Sequence, residues 1–270
     1  MVSNDQRRRQ LAREKFLRQQ QRRESARRRA RTRNTVIASA LAVVVVAGAG
    51  AFAAGAFDGK DKKDSAASKP SASPSKAADP CEKPAAGKVK PLSWKKEPAL
   101  TIDKSAGYTM NLATTCGDIG IALKAKEAPH TVNSFDFLAG KGFFDHTKCH
   151  RLTTNGIYVL QCGDPKGTGA GGPGYTIPDE NLKDKSLKGN VYPAGTIAMA
   201  NTGQKHTGGS QFFLVYQDSQ LPPSYTPFGT ISDSGMKVLK KIAAAGESTG
   251  QGDGAPNATV VIDKATVKKS

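Results

Sequence analysis

The C-terminal part of the sequence predicts a mainly β fold, a β-barrel capped by two α-helices. Two observations lead to this prediction. Short apolar or alternating runs, bounded by glycine, proline or asparagine, recur throughout residues 98–270. Only two segments of this part place their apolar residues at helical spacing. Many short strands with two helices are typical of a barrel whose ends are covered by helices.

The predicted elements follow one another along the chain. We predict strands at residues 108–115, 119–123, 149–152, 158–164, 195–200, 211–215 and 228–231, and a closing strand that opens at 260–262. The first helix begins at Pro129, since proline suits a first helical turn, and ends near Gly140. The second helix covers residues 236–245 and places Val238, Leu239 and Ile242 on one side.

The N-terminal third has a different composition. Residues 1–33 carry 13 basic and 3 acidic residues, and residues 34–57 carry no charge. A membrane-spanning helix needs about 20 mostly apolar residues, which residues 36–57 supply. Because the basic excess lies on one side, we predict a basic cytoplasmic arm (1–33), a transmembrane anchor (34–57) and a C-terminal domain outside the cytoplasm. Two alternatives stay open: a cleaved signal peptide, and an arginine cluster that binds RNA or anionic lipid.

The segment between the anchor and the domain predicts a linker. Residues 58–97 are rich in Lys, Ser, Ala and Pro, which is typical of disordered spacers, so we place the folded domain at residues 98–270. The whole chain carries a net charge of +17, but the domain contributes only +3 of it. We therefore expect no nucleic-acid partner for the domain.

Three local patterns resemble a nucleotide site, a serine nucleophile and a metal site, but none of them fits on closer inspection. The glycines of residues 167–172 match G-x-G-x-x-G, but Pro173-Gly174 follows and excludes the helix of a dinucleotide site. Residues 208–211 do not form a G-x-S-x-G elbow, so no serine nucleophile is indicated. His146, Cys149 and His150 lie close in sequence, but Cys149 and His150 point to opposite faces of one strand and no fourth ligand accompanies the three. We expect neither a metal nor a cofactor.

The four cysteines predict disulfides, since the domain is expected in an oxidising compartment. Cys149 and Cys162 lie on the two strands of one predicted hairpin, so we expect them to pair. Cys81 and Cys116 are then the remaining pair. Four free thiols are the alternative, because spacing does not fix connectivity.

The central hairpin, residues 149–164, predicts the functional site. Arg151 lies on its first strand and Gln161 on its second. Side chains alternate faces along a strand, so both can face one groove. An arginine held on a sheet presents a fixed fork of donors.

Several motifs, taken in order, resemble the cyclophilin family of peptidyl-prolyl cis-trans isomerases. They are Phe143-Phe144-Asp145, His150-Arg151, Gln161-Cys162-Gly163-Asp164-Pro165, Gly167-Thr168-Gly169, Gly171-Gly172-Pro173-Gly174-Tyr175, Asp179-Glu180-Asn181, Met199-Ala200-Asn201, Gly209-Ser210-Gln211-Phe212-Phe213 and Phe228-Gly229. The resemblance spans roughly residues 108–267, and the predicted anchor is similar to that of membrane-anchored cyclophilins of Gram-positive, high-GC bacteria. It implies an eight-stranded antiparallel barrel capped by two helices, with an outer groove for an Xaa-Pro peptide.

Matched position by position, the resemblance also implies the roles of individual residues. The implied catalytic residues are Arg151, Gln161, Asn201 and Gln211. The implied apolar floor for a proline ring is Tyr158, Val159, Phe213 and Leu221, and the implied wall beside the preceding residue is Ala200 and Thr202. Gln220 stands where the family often has tryptophan, and Tyr225 stands where it usually has histidine. The resemblance therefore implies weak binding of cyclosporin.

These observations predict a monomeric isomerase that accelerates the folding of exported proteins. A donor aimed at the prolyl nitrogen stabilises the twisted amide more than either planar form, which is what catalysis requires. The alternative is a proline-peptide binding module or holdase with little turnover, which the residues at 220 and 225 keep open.

Overall fold

The fold is described from a computed structural model, and the description covers residues 78–270. The predicted basic arm, the predicted anchor and residues 58–77 of the predicted linker lie outside the described residues. Within residues 78–270, neither helix has the length and apolar character needed to cross a bilayer.

Residues 78–270 contain twelve strands and two helices. Their order is β1 (Tyr108–Thr114), β2 (Gly117–Leu123), α1 (Pro129–Gly140), β3 (Thr147–Lys148), β4 (Arg151–Thr153), β5 (Val159–Cys162), β6 (Val191–Tyr192), β7 (Thr196–Met199), β8 (Phe212–Val215), β9 (Ser219–Gln220), β10 (Pro227–Ile231), α2 (Asp233–Ala244), β11 (Asp253–Gly254) and β12 (Val261–Lys269). The prediction of a mainly β fold with two helices is confirmed.

Ten of the strands form one antiparallel sheet, in the order β11-β4-β5-β8-β7-β10-β2-β1-β12-β3, while β6 and β9 pair with each other. The strand β3 ends the sheet on one side and β4 is next to last on the other. Only Cys149 and His150 separate these two strands along the chain, so the sheet is curled. The ten strands of this sheet are eight longer strands and the two-residue β3 and β11.

The interior of the curled sheet holds the main core. Alternate residues of β5, β7 and β8 point inwards, and they include Leu160, Ile197 and Phe212. From α1, Phe135 enters the same core and packs against the ring of Phe228 at 4.6 Å between ring centroids. Such apolar burial is the main stabilising contribution to a domain of this size.

The second helix starts earlier than predicted. Its N-cap is Ser232, whose hydroxyl accepts a hydrogen bond from the backbone N–H of Gly235 at 3.1 Å. The helix therefore begins at Asp233 instead of residue 236. Leu239 and Ile242 of α2 are buried in the core.

Residues 78–97, here called the extension, pack on the barrel although composition predicted a disordered linker up to residue 97. Cys81 forms a disulfide with Cys116. Trp94 packs edge-on against Phe137 at 5.0 Å, and its backbone N–H donates to the carbonyl of Pro173 at 2.8 Å. The disulfide and the tryptophan therefore hold the extension against the rest of the described residues.

Candidate active site

A second, smaller apolar cluster lies on the outer face of β5, β7 and β8. The residues between the inward-pointing ones face outwards, because side chains alternate along a strand. Val159, Ala198 and Phe213 belong to this outer cluster, together with Tyr192 and Leu221. The sheet thus presents an apolar surface on its outside as well as inside.

A small cavity opens on this surface and is called here the inner pocket. Its volume is about 160 Å³, and its lining residues are Arg151, Ile157, Val159, Gln161, Ala200, Asn201, Phe213, Leu221 and Tyr225. The rings of Phe213 and Tyr225 meet edge-on at 5.3 Å. An apolar floor with an arginine and two amides at its side suits a small apolar ring beside a polar backbone.

A larger depression, called here the outer groove, has a volume of about 550 Å³. Its lining shares Gln161, Ala200 and Asn201 with the inner pocket. The remaining lining residues are Ser93, Lys166, Gly169, Ala170, Gly171, Gly172, Pro173, Gly174, Tyr175, Thr176, Thr202, Thr207, Gly209, Ser210 and Gln211. The two cavities therefore form neighbouring sections of one surface that an extended peptide can follow.

A chain of hydrogen bonds crosses the boundary between the two cavities. Arg151 and Gln161 are register partners on β4 and β5, and the arginine Nη1 donates to the glutamine Oε1 at 3.2 Å. The Nε2 of Gln161 donates to Oε1 of Gln211 at 2.9 Å, and the Nε2 of Gln211 donates to the carbonyl of Gly171 at 2.9 Å. Each amide is thus fixed in orientation, and so is the arginine fork.

The other side of the arginine meets a carboxylate. The Nε and Nη2 of Arg151 donate to Oδ1 and Oδ2 of Asp253, both at 2.7 Å. The hydrogen bonds to Asp253 raise the pKa of Arg151, and those from Arg151 lower the pKa of Asp253. The arginine is therefore a permanently charged donor held on two sides.

The glycine-rich loop at 165–172 folds around a carboxylate of the chain itself. Asp164 is buried and accepts hydrogen bonds from the backbone N–H groups of Lys166, Thr168 and Gly169 at 2.7, 2.9 and 2.6 Å. Burial acts to raise the pKa of Asp164, but these donors outweigh it and lower the pKa. A Cβ on Gly171 would lie 1.9 Å from Oδ1 of Asp164, so this position requires glycine.

Two predicted binding residues lie elsewhere. Tyr158 does not line either cavity; its ring packs edge-on against Tyr216 at 5.9 Å. Ile157 and Val159, on either side of it, line the inner pocket instead, as alternation along the chain requires. Gln220 is exposed on β9, opposite Val191, and lines neither cavity.

The structure brings the other predicted residues together. Thr202 lines the outer groove, where its hydroxyl lies 3.0 Å from that of Thr207. The Nδ2 of Asn201 donates to the carbonyl of Ser224 at 2.8 Å, and its Oδ1 accepts from the N–H of Gly203 at 2.9 Å. The Asn201 side chain therefore braces the loops around the groove.

The cysteines form the two pairs that the sequence analysis named, Cys81–Cys116 and Cys149–Cys162. The second disulfide lies beside the site, because Cys149 precedes Arg151 by two residues and Cys162 follows Gln161. Residues 78–270 contain no cluster of three or more His, Cys, Asp or Glu side chains that could hold a metal ion.

Sequence reasoning missed two residues of the site, Asp253 and Ile157. Asp253 lies 102 residues from Arg151 along the chain, so no local pattern connects them. Ile157 was within reach of sequence analysis, because it has the same alternation phase as Val159.

Comparison with known proteins agrees with this geometry. A family model described as cyclophilin type peptidyl-prolyl cis-trans isomerase/CLD matches residues 109–267. The probable peptidyl-prolyl cis-trans isomerase B of Mycobacterium leprae (strain TN) is 50% identical over 196 residues, which cover 70% of this chain and 62% of that protein. The protein of the same name from Mycobacterium tuberculosis (strain CDC 1551 / Oshkosh) is 46% identical over 198 residues, covering 70% and 60%. The chain thus spans about three fifths of the length of these relatives.

Solved structures show the same fold. A crystal structure of a cyclophilin type peptidyl-prolyl cis-trans isomerase from Cryptosporidium parvum matches with a TM-score of 0.51 and 26% identity, covering 61% of this chain and 99% of that one. The family model covers more than half of this chain. The chain therefore belongs to the cyclophilin type peptidyl-prolyl cis-trans isomerase family.

Proposed function

We propose that this chain catalyses cis-trans isomerisation of Xaa-Pro peptide bonds. One observation supports this most directly: the Arg151 fork lies at the side of a small apolar pocket, held by Gln161 at 3.2 Å and by Asp253 at 2.7 Å. The reaction is a rotation about the peptide C–N bond and breaks no covalent bond, so it needs neither a nucleophile nor a general base.

The reaction needs a donor that acts only on the twisted amide. The planar amide is stabilised by resonance, with a barrier to rotation of about 18–20 kcal/mol. At the twisted geometry the prolyl nitrogen regains a lone pair that can accept a hydrogen bond. A guanidinium has five N–H groups, and three of those of Arg151 are used by Gln161 and Asp253. Within residues 78–270, one N–H on each Nη has no acceptor and can bond the substrate, so Arg151 can stabilise the transition state preferentially.

The inner pocket is suited to hold the proline ring while the other side of the bond rotates. Val159, Phe213 and Leu221 give it an apolar lining. Its volume of about 160 Å³ admits one small ring and is below that of pockets for drug-sized ligands. The outer groove then takes residues that precede the proline. A second crystal structure of the Cryptosporidium parvum protein, with 27% identity and a TM-score of 0.50, was determined in the presence of the dipeptide Ala-Pro, which supports an Xaa-Pro ligand.

The fold supports the closed eight-stranded barrel that the family resemblance implies. The eight longer strands run continuously from β4 to β12 in the sheet order. The segment from β3 to β4 pairs with β12 at one end and with β5 at the other. We infer that this segment closes the barrel.

The clients are proposed to be exported proteins. Residues 36–57 are uncharged and long enough to anchor the chain, with the basic arm on the cytoplasmic side. Two disulfides in the domain support an oxidising compartment outside the cytoplasm. A monomeric state and weak cyclosporin binding stay predictions, which size-exclusion chromatography and an inhibition titration would check.

The test uses the full chain and a short peptide with one Ala-Pro bond. Exchange between the cis and trans peptide resonances is measured by NMR, with the unaltered chain and with Arg151→Ala. We expect the unaltered chain to accelerate this exchange and the Arg151→Ala variant to accelerate it about 10²-fold less, or still more weakly. Peptide binding without acceleration by the unaltered chain would overturn the isomerase function and favour a proline-peptide binding module or holdase.

A further inference from the structure

The strand β11 brings a carboxylate to the back of the catalytic arginine. Asp253 bonds Nε and Nη2 of Arg151 at 2.7 Å each, while Nη1 is bonded to Gln161. Arg151 lines the inner pocket and Asp253 does not. Asp253 therefore contacts the reacting region only through the arginine.

The loop that carries Asp253 is built around a second carboxylate. Glu247 is buried, and its Oε2 accepts from the backbone N–H and the hydroxyl of Thr249 at 2.6 and 2.7 Å. Its Oε1 accepts from the N–H of Gly252 at 2.8 Å. The next two residues form β11, in which Asp253 pairs with Thr153 and Gly254 with Leu152 of β4. Asp253 is thus presented from an ordered loop that is hydrogen-bonded to the strand of Arg151.

The exposure of the pair indicates what it contributes. The side chains of Arg151 and Asp253 are 39% and 55% exposed. Ion pairs this accessible to water add little to stability. Two parallel N–H···O bonds do, however, fix the plane of a guanidinium on a long flexible stem. Asp253 therefore fixes the direction of the other N–H groups of Arg151 and adds little to the stability of the domain.

We propose that Asp253 is a positioning residue that holds the Arg151 fork in its productive plane. This inference rests on the proposed isomerase function. With Asp253 and Gln161 each occupying part of the fork, the directions of the two remaining N–H groups are fixed relative to the inner pocket. Without Asp253, the guanidinium can rotate about its stem while the substrate pocket stays intact.

The test is a double-mutant cycle on the full chain with Arg151→Ala, Asp253→Ala and the double variant. Asp118→Asn serves as the control, because Asp118 is an exposed acid on β2 outside both cavities. For Asp253→Ala we expect kcat for the Ala-Pro peptide to fall about tenfold with KM within about twofold. In the Arg151→Ala background, Asp253→Ala should cause no further loss.

A spectroscopic measurement makes the test independent of turnover. In the ¹⁵N-labelled unaltered chain, the Nε–H of Arg151 should exchange slowly with water, and Asp253→Ala should remove that protection. Full activity of Asp253→Ala, or an equal loss with and without Arg151, would overturn the inference. If the unaltered chain does not accelerate isomerisation of the peptide, the isomerase function itself is overturned. That conclusion does not depend on how fast the Nε–H proton of Arg151 exchanges with water.

Discussion

Arg151 and Gln161 occupy directly opposed positions on β4 and β5, and a 3.2 Å hydrogen bond joins Nη1 of the arginine to Oε1 of the glutamine. The neighbouring pair, Leu152 and Leu160, points into the core. A slip of one residue in this register would exchange the two faces and bury the arginine. The placement of the donor thus depends on the pairing of two very short strands.

The fork, rather than the positive charge, is expected to matter at residue 151. Arg151→Lys keeps the charge but cannot bond Gln161 and Asp253 at the same time. We expect at least a tenfold lower kcat/KM for the Ala-Pro peptide, given that loss of a positioned donor costs about 10²–10³ in kcat. Lys148 is exposed on β3, so Lys148→Arg is the reciprocal control and should leave kcat/KM unchanged. Equal activity of Arg151→Lys and the unaltered chain would show that charge alone suffices.

Removal of the Gln161 amide is expected to disorder the arginine from the other side. Gln161→Ala breaks the bonds to Arg151 and Gln211. We expect a fall of about tenfold in kcat/KM, since small misplacements of a catalytic group are costly. Gln217→Ala is the matched control, because Gln217 is exposed and lines neither cavity. If kcat/KM falls as far in Gln217→Ala as in Gln161→Ala, the loss comes from general destabilisation and not from the arginine.

The disulfide of the extension is expected to contribute stability without contributing activity. Cys81 and Cys116 are 35 residues apart, and neither lines the cavities. The chain-entropy relation for a loop of this length predicts a loss of about 3–4 kcal/mol in the free energy of unfolding for Cys81→Ser/Cys116→Ser. Urea denaturation measures this, and mass spectrometry verifies that Cys149–Cys162 remains closed. An unchanged midpoint would mean that the extension is already held close to β2 in the unfolded state.

The pH dependence of stability is expected to contain a contribution from His150. Both of its ring nitrogens are buried without a hydrogen-bond partner among the described residues. Burial lowers the pKa of His150 below the ordinary value of a histidine, about 6.5; nearby Asp164 acts to raise it and Arg151 to lower it. Between the lowered pKa and about 6.5 the unfolded chain binds more protons, so stability falls as the pH falls through this window.

The variant His150→Phe removes this titration. We expect its free energy of unfolding, measured in urea at several pH values below about 6.5, to depend less on pH than that of the unaltered chain. Identical slopes for the unaltered chain and His150→Phe would contradict the assignment.

Sequence alone predicted the parts of the site that depend on local alternation. Arg151 and Gln161 belong to one hairpin, so period-two alternation sufficed to place them on one face. Tyr158 lies outside both cavities, because alternation along the second strand turns its neighbours Ile157 and Val159 towards the inner pocket instead. Asp253 could not be predicted, since its partner is 102 residues away.

The boundaries of the domain show a similar limit. The composition of the extension indicated disorder, but single contacts of Cys81 and Trp94 fix it to the barrel. Composition averages over a window, whereas a disulfide acts at one residue. The strands β3 and β11, of two residues each, are too short for any periodic pattern, so the count of ten strands was not predictable.

The pairing of the first strand with the last has a consequence for biosynthesis. β1 lies against β12 over nearly its whole length, with Tyr108 opposite Lys269, and β3 pairs only with β12. Along the chain β12 follows all the other described strands, so these edges of β1 and β3 stay unpaired until it has been made. Such distant pairing slows folding. A chain cut short before Val261 would leave β1 and β3 with unpaired edges, which promote aggregation. The native pairing of β1 and β3 at these edges therefore waits for the synthesis of β12.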